Sequence, residues 1–242
     1  MITYTSASSE SIAASLVTQI SSLSNSATAT AVRANMADLS AATTIVDASL
    51  AAFGPHIDIL VNNAAVQTTR ALKDISVEDI TGVYDVNIRG VILLTQAVLK
   101  HLRRPGRIIN ISSVGARQGF AELSLYCSSK AALEGLTRSW AGELGGVSAF
   151  RFPGCSGLGW GMLMCGEQDG TTVNAVAPGP VQSEMLESIP PQIVKSQKES
   201  TPVQQRVGMP EEVSNVVCWL ASAEASWVSG QVQNVSGGWS MP

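Results

Sequence analysis

Short runs of β-branched and apolar residues alternate along this chain with longer segments in which apolar side chains recur every three or four positions. The short runs predict strands at residues 2–5, 28–34, 57–61, 107–112, 171–176 and 231–235. The periodic segments predict helices at residues 8–23, 40–53, 76–102, 124–144 and 210–221. Because such alternation is typical of βαβ units, the pattern predicts an α/β fold with a parallel sheet covered by helices on both faces.

Two of the predicted elements have well-marked ends. The strand at 57–61 is apolar except for Asp58, as is typical inside a parallel sheet, and a turn at Asn62-Asn63-Ala64-Ala65 follows it. The helix at 76–102 opens with Ser76-Val77-Glu78-Asp79, which resembles a helix-start box. We expect this helix to run to about Leu102, with Pro105-Gly106 as its stop signal.

The composition is that of one globular domain. The chain has 242 residues, of which 45% are hydrophobic and 14% charged, enough to bury a stable core. We therefore expect residues 1–242 to form a single domain, with two small domains as the alternative. The net charge is −4 and no basic cluster exceeds the pair Arg103-Arg104, so a nucleic-acid partner is not expected.

The sequence carries no signal for a membrane or for export. No apolar run approaches the roughly 20 residues that span a bilayer, and the first 20 residues contain no Lys or Arg. The four cysteines, Cys127, Cys155, Cys165 and Cys218, have neither CxxC nor zinc-ligand spacing. The chain is therefore predicted to be cytoplasmic, with reduced thiols, no metal site and no membrane partner.

Three polar side chains have the spacing of an acid–base site. Tyr126 and Lys130 are four residues apart in a predicted helix, so they lie one turn apart on one face. Ser113 precedes Tyr126 by 13 residues, enough chain to bring its hydroxyl beside the phenol. A nearby ammonium favours the phenolate and would lower the tyrosine pKa from its ordinary value of about 10. A neutral hydroxyl can hold a carbonyl oxygen on which negative charge develops.

Each candidate residue also has an ordinary structural interpretation. Tyr126 and Lys130 alone could be a pair on a helix surface, and Asn87 could be a buried residue at a helix kink. A Ser-His-Asp hydrolase is disfavoured, because the chain has only two histidines and no nucleophile elbow. The order of all the motifs along the chain therefore decides between these interpretations.

The ordered motifs resemble those of one family. They are Asn62-Asn63-Ala64, Asn87-Ile88-Arg89-Gly90, Ser113, Tyr126-x-x-x-Lys130 and Pro178-Gly179. This series resembles the short-chain dehydrogenase/reductase family, specifically the 3-oxoacyl carrier-protein reductases and fungal polyketide reductases. The resemblance covers the chain except residues 146–168. It implies a Rossmann-type doubly wound parallel sheet in three layers, and an oxidoreductase that reduces a ketone to a secondary alcohol, or the reverse, by hydride transfer.

The resemblance also implies roles for individual residues. Tyr126 would protonate the carbonyl oxygen, Lys130 would tune Tyr126 and bind the nicotinamide ribose, and Ser113 would orient the carbonyl. Asn87 would support a water relay to Lys130. Further cofactor contacts would come from Asp38 at the adenine ring, Asn62 and Ala64 on the adenosine side, and Pro178, Gly179 and Val181 at the nicotinamide, with Ser183 in place of the family's usual threonine.

The chain departs from the family pattern at its start. Family members open with a strand and a Thr-Gly-x-x-x-Gly-x-Gly turn, whereas no glycine precedes Gly54 here. Glycine is needed in that turn because the backbone approaches the cofactor pyrophosphate closely. The first strand, which would lie at the centre of the sheet, and the glycine-rich turn are therefore missing from the sequence, and we expect the chain as written to be a poor reductase.

A second departure is the segment 147–168, which is rich in Gly, Cys, Met and Trp. Removing these 22 residues restores the family's usual spacing between helix and strand. The segment begins with Val, whose codons start GT, and ends with Gln, one of whose codons ends AG. Two interpretations stay open: a surface-loop insertion, or a short intron translated in frame.

Three functions are compatible with the sequence. The first, which we prefer, is an NADP(H)-dependent reductase for a small carbonyl or alcohol substrate. The others are a cofactor-free pseudoenzyme that acts as a binding or oligomerisation partner, and a Tyr/Ser-based isomerase or cyclase. NADP(H) is favoured over NAD(H) because no carboxylate follows the strand at 2–5 before Glu10. Since relatives are commonly dimers or tetramers, we expect a homodimer or homotetramer formed through the helices at 76–102 and 124–144.

Overall fold

The computed structural model describes residues 1–145, 170–187 and 189–241. The predicted insertion at 147–168, including Cys155 and Cys165, lies outside the described residues. The described residues form the strands β1 (Ile2–Tyr4), β2 (Ala31–Arg33), β3 (Ile57–Asn62), β4 (Leu102–Ile111), β5 (Thr172–Pro178) and β6 (Val232–Val235). They also form the helices α1 (Glu10–Ser21), α2 (Ala41–Phe53), α3 (Val77–Tyr84), α4 (Val91–Leu99), α5 (Ser124–Leu144), α6 (Glu184–Glu187), α7 (Pro191–Ser200) and α8 (Pro210–Ala221).

The strands form two sheets. β1 pairs with β2 in a two-stranded sheet, and the remaining strands form a four-stranded sheet of order β3-β4-β5-β6. The β1–β2, β4–β5 and β5–β6 pairs are all parallel. The predicted parallel α/β architecture is therefore confirmed, and its strands are divided between two sheets.

The chain also divides into two compact units. The first unit comprises Met1–Ile57 and Ala64–Arg103, and the second comprises Asp58–Asn63 and Arg104–Pro242. The two-stranded sheet lies in the first unit, and nearly all of the four-stranded sheet lies in the second. A single domain, as expected from the length of the chain, stays a prediction.

In the first unit, α2 packs against α4. Both helices bury apolar side chains, which include Ile45, Val46, Val91, Leu94 and Val98. At the start of α4, a Cβ added to Gly90 would collide with the carbonyl oxygen of Met36. Glycine at this position therefore allows the chain segment before α2 to lie directly against α4.

In the second unit, β5 is buried on both faces. Every residue from Thr172 to Ala177 is buried, as expected for an interior strand of a parallel sheet. Helices α5 and α8 both contact β5. One core cluster joins Ile109 of β4 and Val176 of β5 to Leu220 of α8 and to Ala225. This cluster packs α8 against β4 and β5.

The long helix predicted at 76–102 is wrong in two respects. It is interrupted by a π-helical turn at Asp85–Gly90, and it ends at Leu99, before β4 begins at Leu102. Pro105-Gly106 is therefore part of a strand and does not stop the helix. Proline is tolerated there because the β4–β5 ladder begins only at the pair Arg107 and Thr172.

Helix α7 was not predicted from the sequence. It begins at Pro191, directly after Pro190, and buries none of its residues. Because it has no regular apolar stripe, its sequence carries no periodic signal that would distinguish it from a polar loop.

Candidate active site

Helix α5 carries Tyr126 and Lys130 on a single stripe. Both residues face the carboxyl end of β4, and Lys130 is only 3% exposed. Its Nζ atom donates a hydrogen bond of 2.6 Å to the carbonyl oxygen of Ile111, the last residue of β4. The same nitrogen lies 5.7 Å from the centre of the Tyr126 ring. The four-residue spacing in the sequence therefore brings the ammonium beside the phenol.

Ser113 lies just beyond β4 and completes this group. It caps the short 3-10 helix Val114–Ala116, and its Oγ accepts a hydrogen bond of 3.1 Å from the N–H of Gly115. The Ser113 hydroxyl also lies near enough to the Tyr126 phenol to lower the pKa of that phenol. The structure thus brings together three of the four residues predicted to be catalytic.

Burial governs the proton affinities of this group. The pKa of Tyr126 is raised above its ordinary value, because burial outweighs the hydrogen bond from Ser113, which lowers it. Burial lowers the pKa of Lys130 to about 8. The lowered tyrosine pKa expected from the sequence is not found, because desolvation penalises the charged forms of both side chains. Tyr126 therefore keeps its proton at neutral pH.

Asn62 belongs to a buried polar network of the second unit. Its Nδ2 donates to Oδ1 of Asn110 at 2.8 Å, and Nδ2 of Asn110 donates to Oγ1 of Thr137 at 2.9 Å. This network links the ends of β3 and β4 to α5. Ala64, also predicted to bind cofactor, is exposed and lies in the first unit.

Asn87 lies in the π-helical turn of the first unit and is 2% exposed. Its Oδ1 accepts from the N–H of Val66 at 2.8 Å, and its Nδ2 donates to the carbonyl oxygen of Val66 at 2.9 Å. The side chain therefore fixes the loop that follows β3, which agrees with the structural interpretation of this residue. A water relay from Asn87 to Lys130 stays a prediction.

Asp38 lines a cavity of about 340 Å³ in the first unit, at the carboxyl ends of β1 and β2 and the start of α2. The lining residues are mostly polar: Thr5, Arg33, Ala34, Asn35, Asp38, Ser40, Ala41 and Thr44. The Nε of Arg33 donates to the carbonyl oxygen of Thr5 at 3.3 Å. Sequence reasoning did not single out Arg33, although a basic residue at the end of a strand before a helix is a recognisable signal for an anion.

The remaining predicted cofactor residues follow β5. The N–H of Gly179 donates to the carbonyl oxygen of Val235 at 2.9 Å, and a Cβ at Gly179 would lie 2.8 Å from Cβ of Ser236. Val181 lines a small cavity of about 80 Å³. Ser183 caps the short helix α6, since its Oγ accepts from the N–H of Leu186 at 3.3 Å. Pro178 ends β5, so these residues form one continuous turn beyond the sheet.

The described part of the chain also bears on metal binding and on membrane crossing. No group of three or more His, Cys, Asp or Glu side chains there could hold a metal ion. None of its helices combines the length and the apolar character that crossing a bilayer requires.

Two family models match the chain. One, described as short chain dehydrogenase, matches residues 2–148, and the other, described as Enoyl-(Acyl carrier protein) reductase, matches residues 164–240. Together they cover both compact units, including Ser113, Tyr126 and Lys130 in the first match.

Characterised relatives include fungal and bacterial enzymes. Dehydrogenase OXI1 of Cochliobolus heterostrophus is 36% identical over 242 residues, which cover 98% of this chain and 95% of the relative. The 3-oxoacyl-[acyl-carrier-protein] reductase FabG of Thermotoga maritima is 36% identical over 185 residues, 76% of this chain and 66% of the relative.

Several solved structures also have a fold similar to that of this chain. A blue fluorescent protein from a metagenomic library, in complex with NADPH, has a TM-score of 0.83 at 28% identity and covers 99% of this chain and 86% of its own. A short-chain dehydrogenase/reductase from Serratia marcescens has a TM-score of 0.80 at 30% identity, with the same coverage. The predicted Rossmann-type α/β fold is confirmed by these similarities.

Proposed function

The chain belongs to the short-chain dehydrogenase/reductase family, and on this premise we propose that it is an NADP(H)-dependent oxidoreductase that reduces a ketone to a secondary alcohol, or catalyses the reverse. The observation that carries the proposal is that the Tyr126 phenol lies beside the buried ammonium of Lys130, 5.7 Å from the ring centre, with Ser113 near enough to lower the phenol's pKa. A proton donor, a second hydroxyl and a fixed positive charge are what carbonyl reduction requires of the protein.

Tyr126 is proposed as the general acid. Its raised pKa keeps the phenol protonated at neutral pH, so it has a proton to give to a carbonyl oxygen. The neighbouring hydroxyl of Ser113 would donate to the same oxygen as negative charge develops on it. The bound nicotinamide would supply the hydride.

Lys130 is proposed to stabilise the phenolate that remains after proton transfer. Its Nζ is held by Ile111 at 2.6 Å and lies 5.7 Å from the ring centre, so no rearrangement of the side chain is needed. With a pKa of about 8 the amine is mostly protonated at pH 7. In a buried site of low polarity, this charge favours the phenolate more than it would in water.

The cavity of the first unit fits the phosphate-bearing end of NADP(H). Arg33 supplies a positive charge, the hydroxyls of Thr5, Ser40 and Thr44 supply hydrogen bonds, and α2 begins at the cavity. Arginine is the side chain that accommodates a 2′-phosphate in this class of site. Asp38 lines the same cavity and would accept a hydrogen bond from the adenine amino group, as the family resemblance implies.

We also propose that the chain forms a homodimer or homotetramer through the helices of residues 76–102, which are α3 and α4, and through α5. Ala131 and Ala132 on α5 are exposed and Gly135 is half-buried, so a second helix could pack closely there. A strictly monomeric mass in light scattering at micromolar concentration would contradict this.

The reductase proposal is tested with the purified chain, NADPH and a panel of aliphatic and aromatic ketones. We expect slow NADPH consumption matched by alcohol formation, since the sequence predicts a poor reductase, and a loss of about 100-fold or more in kcat for Tyr126→Phe. Tyr84→Phe, which removes a phenol from α3 in the first unit, is the matched control. NADPH binding is measured separately by calorimetry.

The outcomes separate the competing functions. Absence of NADPH binding together with absence of ketone turnover would favour the cofactor-free pseudoenzyme. Isomerised or cyclised product formed without NADPH would favour the Tyr/Ser-based isomerase or cyclase. Turnover that is equal in Tyr126→Phe and wild type would refute Tyr126 as the acid.

A further inference from the structure

The stripe of α5 that carries Tyr126 and Lys130 continues one turn further to a buried carboxylate, Glu134. Its side chain is 5% exposed. Oε1 of Glu134 accepts a hydrogen bond from the Ser112 hydroxyl at 3.1 Å, and Oε2 accepts one from Nε of Arg117 at 3.0 Å. One side chain of α5 therefore binds two residues of the segment that carries Ser113.

The two residues that Glu134 binds lie on either side of Ser113. Ser112 is also held by the sheet, because its N–H donates to the carbonyl oxygen of Val176 at 2.7 Å. Arg117 follows the 3-10 helix Val114–Ala116, which leads the chain away from the sheet. Ser113 is thus the first residue beyond the strand pairing, and its position depends on how this turn is anchored.

We propose that Glu134 is a positioning residue, which holds the Ser113 hydroxyl against the Tyr126 phenol by anchoring both sides of the Ser113 turn to α5. The part that Glu134 plays in catalysis rests on the proposed reductase function. Glu134 acts through Ser113 and has no direct part in proton transfer.

The chemistry of Glu134 fits positioning better than stability alone. A buried carboxylate loses its hydration, and an apolar side chain of similar volume often stabilises a helix contact as well or better. Arg117, whose side chain is 36% exposed, compensates this loss only in part. A carboxylate can do what an apolar side chain cannot, since its two oxygens accept from Ser112 and Arg117 at once.

The turn has little room to move without displacing Ser113. A Cβ added to Gly115 would lie 3.3 Å from Sγ of Cys127 and 3.4 Å from Oγ of Ser113. The turn is therefore packed directly onto α5, one residue from Tyr126. Hydrogen bonds weaken steeply beyond about 3.5 Å, so a shift of about 1 Å would abolish the effect of the Ser113 hydroxyl on the Tyr126 phenol.

The test measures the effect of Ser113 on the pKa of Tyr126 rather than turnover. In the full chain labelled with carbon-13 at tyrosine Cζ, the pKa of Tyr126 is titrated by NMR, with Tyr126→Phe to assign its signal. Ser113→Ala should raise the pKa of Tyr126, because the Ser113 hydrogen bond lowers it. Glu134→Gln should raise it by about 0.5 to 1 pH unit, the effect of one hydrogen bond. The Gly115 and Ala116 amide hydrogens should exchange about tenfold faster.

The sign of the change separates positioning from a direct charge effect. Removing the negative charge of Glu134 would by itself lower the pKa of Tyr126, because a nearby anion disfavours the phenolate. A rise therefore reports the loss of the Ser113 bond. An unchanged or lowered pKa in Glu134→Gln would overturn the proposal.

Two further variants keep the test decisive. Ser112→Ala removes the other hydrogen bond that Glu134 accepts without changing any charge, and should raise the Tyr126 pKa in the same direction even if Glu134→Gln folds poorly. Leu220→Ala, a core variant of the same unit, should lower the Tm without moving this pKa. An equal pKa change in Leu220→Ala would also overturn the proposal. Failure of the wild type to turn over ketones would count against the proposed function and leave these readouts intact.

Discussion

The Nζ atom of Lys130 donates a hydrogen bond of 2.6 Å to the carbonyl oxygen of Ile111, two residues before Ser113 in the chain. This bond ties the middle of α5 to the last residue of β4. It places the buried ammonium beside the half-buried Tyr126 and Ser113, so the folded protein carries a desolvated charge at neutral pH.

The buried ammonium of Lys130 should make the free energy of unfolding increase as the pH rises. Because the pKa of Lys130 falls from 10.5 to about 8 on folding, the unfolded chain binds more protons between these values. The free energy of unfolding should therefore rise from pH 8 towards pH 10, by at most about 3 kcal/mol. Urea titrations of wild type and Lys130→Met at pH 7.5 to 10 measure the difference.

Lys130→Met serves as the control, because it keeps every titrating group of the wild type except Lys130. Tyr126 opposes the trend only above pH 10, where its raised pKa makes deprotonation destabilising. Identical pH profiles for the two proteins would mean that Lys130 is not buried as a charge.

Ser113→Ala should lower kcat by about 100-fold while the Kd for NADPH stays unchanged. The reason is that the Ser113 hydroxyl touches the Tyr126 phenol and would stabilise charge on the carbonyl oxygen. Steady-state kinetics and calorimetry check the two parts. Ser128→Ala, which removes an exposed hydroxyl from the same helix, should retain the wild-type rate. A comparable loss in Ser128→Ala would show a general effect on α5.

Arg33→Gln should weaken NADPH binding by about 10- to 100-fold and leave NADH binding nearly unchanged. Only NADPH carries the 2′-phosphate, and a charge-assisted hydrogen bond contributes about 1.5 to 3 kcal/mol. Calorimetry with both nucleotides measures the ratio, and Arg138→Gln on the exposed side of α5 is the charge-matched control. Tighter binding of NADH than NADPH to the wild type would refute the preference.

Substitution by alanine should change the stability of the protein in opposite directions at two glycines, Gly90 and Gly82. Gly90→Ala should destabilise the protein by about 1 to 3 kcal/mol, because its Cβ would meet the carbonyl oxygen of Met36. Gly82→Ala in α3 has nothing within 4 Å of the added Cβ and should stabilise by about 0.5 to 1 kcal/mol. Thermal unfolding distinguishes them, and equal effects would contradict the close contact at Gly90.

Local patterns in the sequence were sufficient for several elements. The predicted bounds of α5 (Ser124–Leu144) and α8 (Pro210–Ala221) agree with the structure, and the parallel α/β class is confirmed. Both helices have strong apolar periodicity, and Pro210 marks the start of the second. The placement of Tyr126 and Lys130 on one face followed from helical geometry alone.

Other features depended on residues far apart in the chain. The π-helical turn at Asp85–Gly90 interrupts a segment whose apolar periodicity looks continuous in the sequence. It carries Asn87, whose side chain forms hydrogen bonds with the backbone of Val66. The raised pKa of Tyr126 reflects burial, which no spacing reveals. The sequence by itself determined which residues lie on the same helix face, because that depends on neighbours within a few positions. The tertiary structure alone decided that Glu134 reaches Ser112 and Arg117, because hydrogen bonds and desolvation depend on which distant segments pack together.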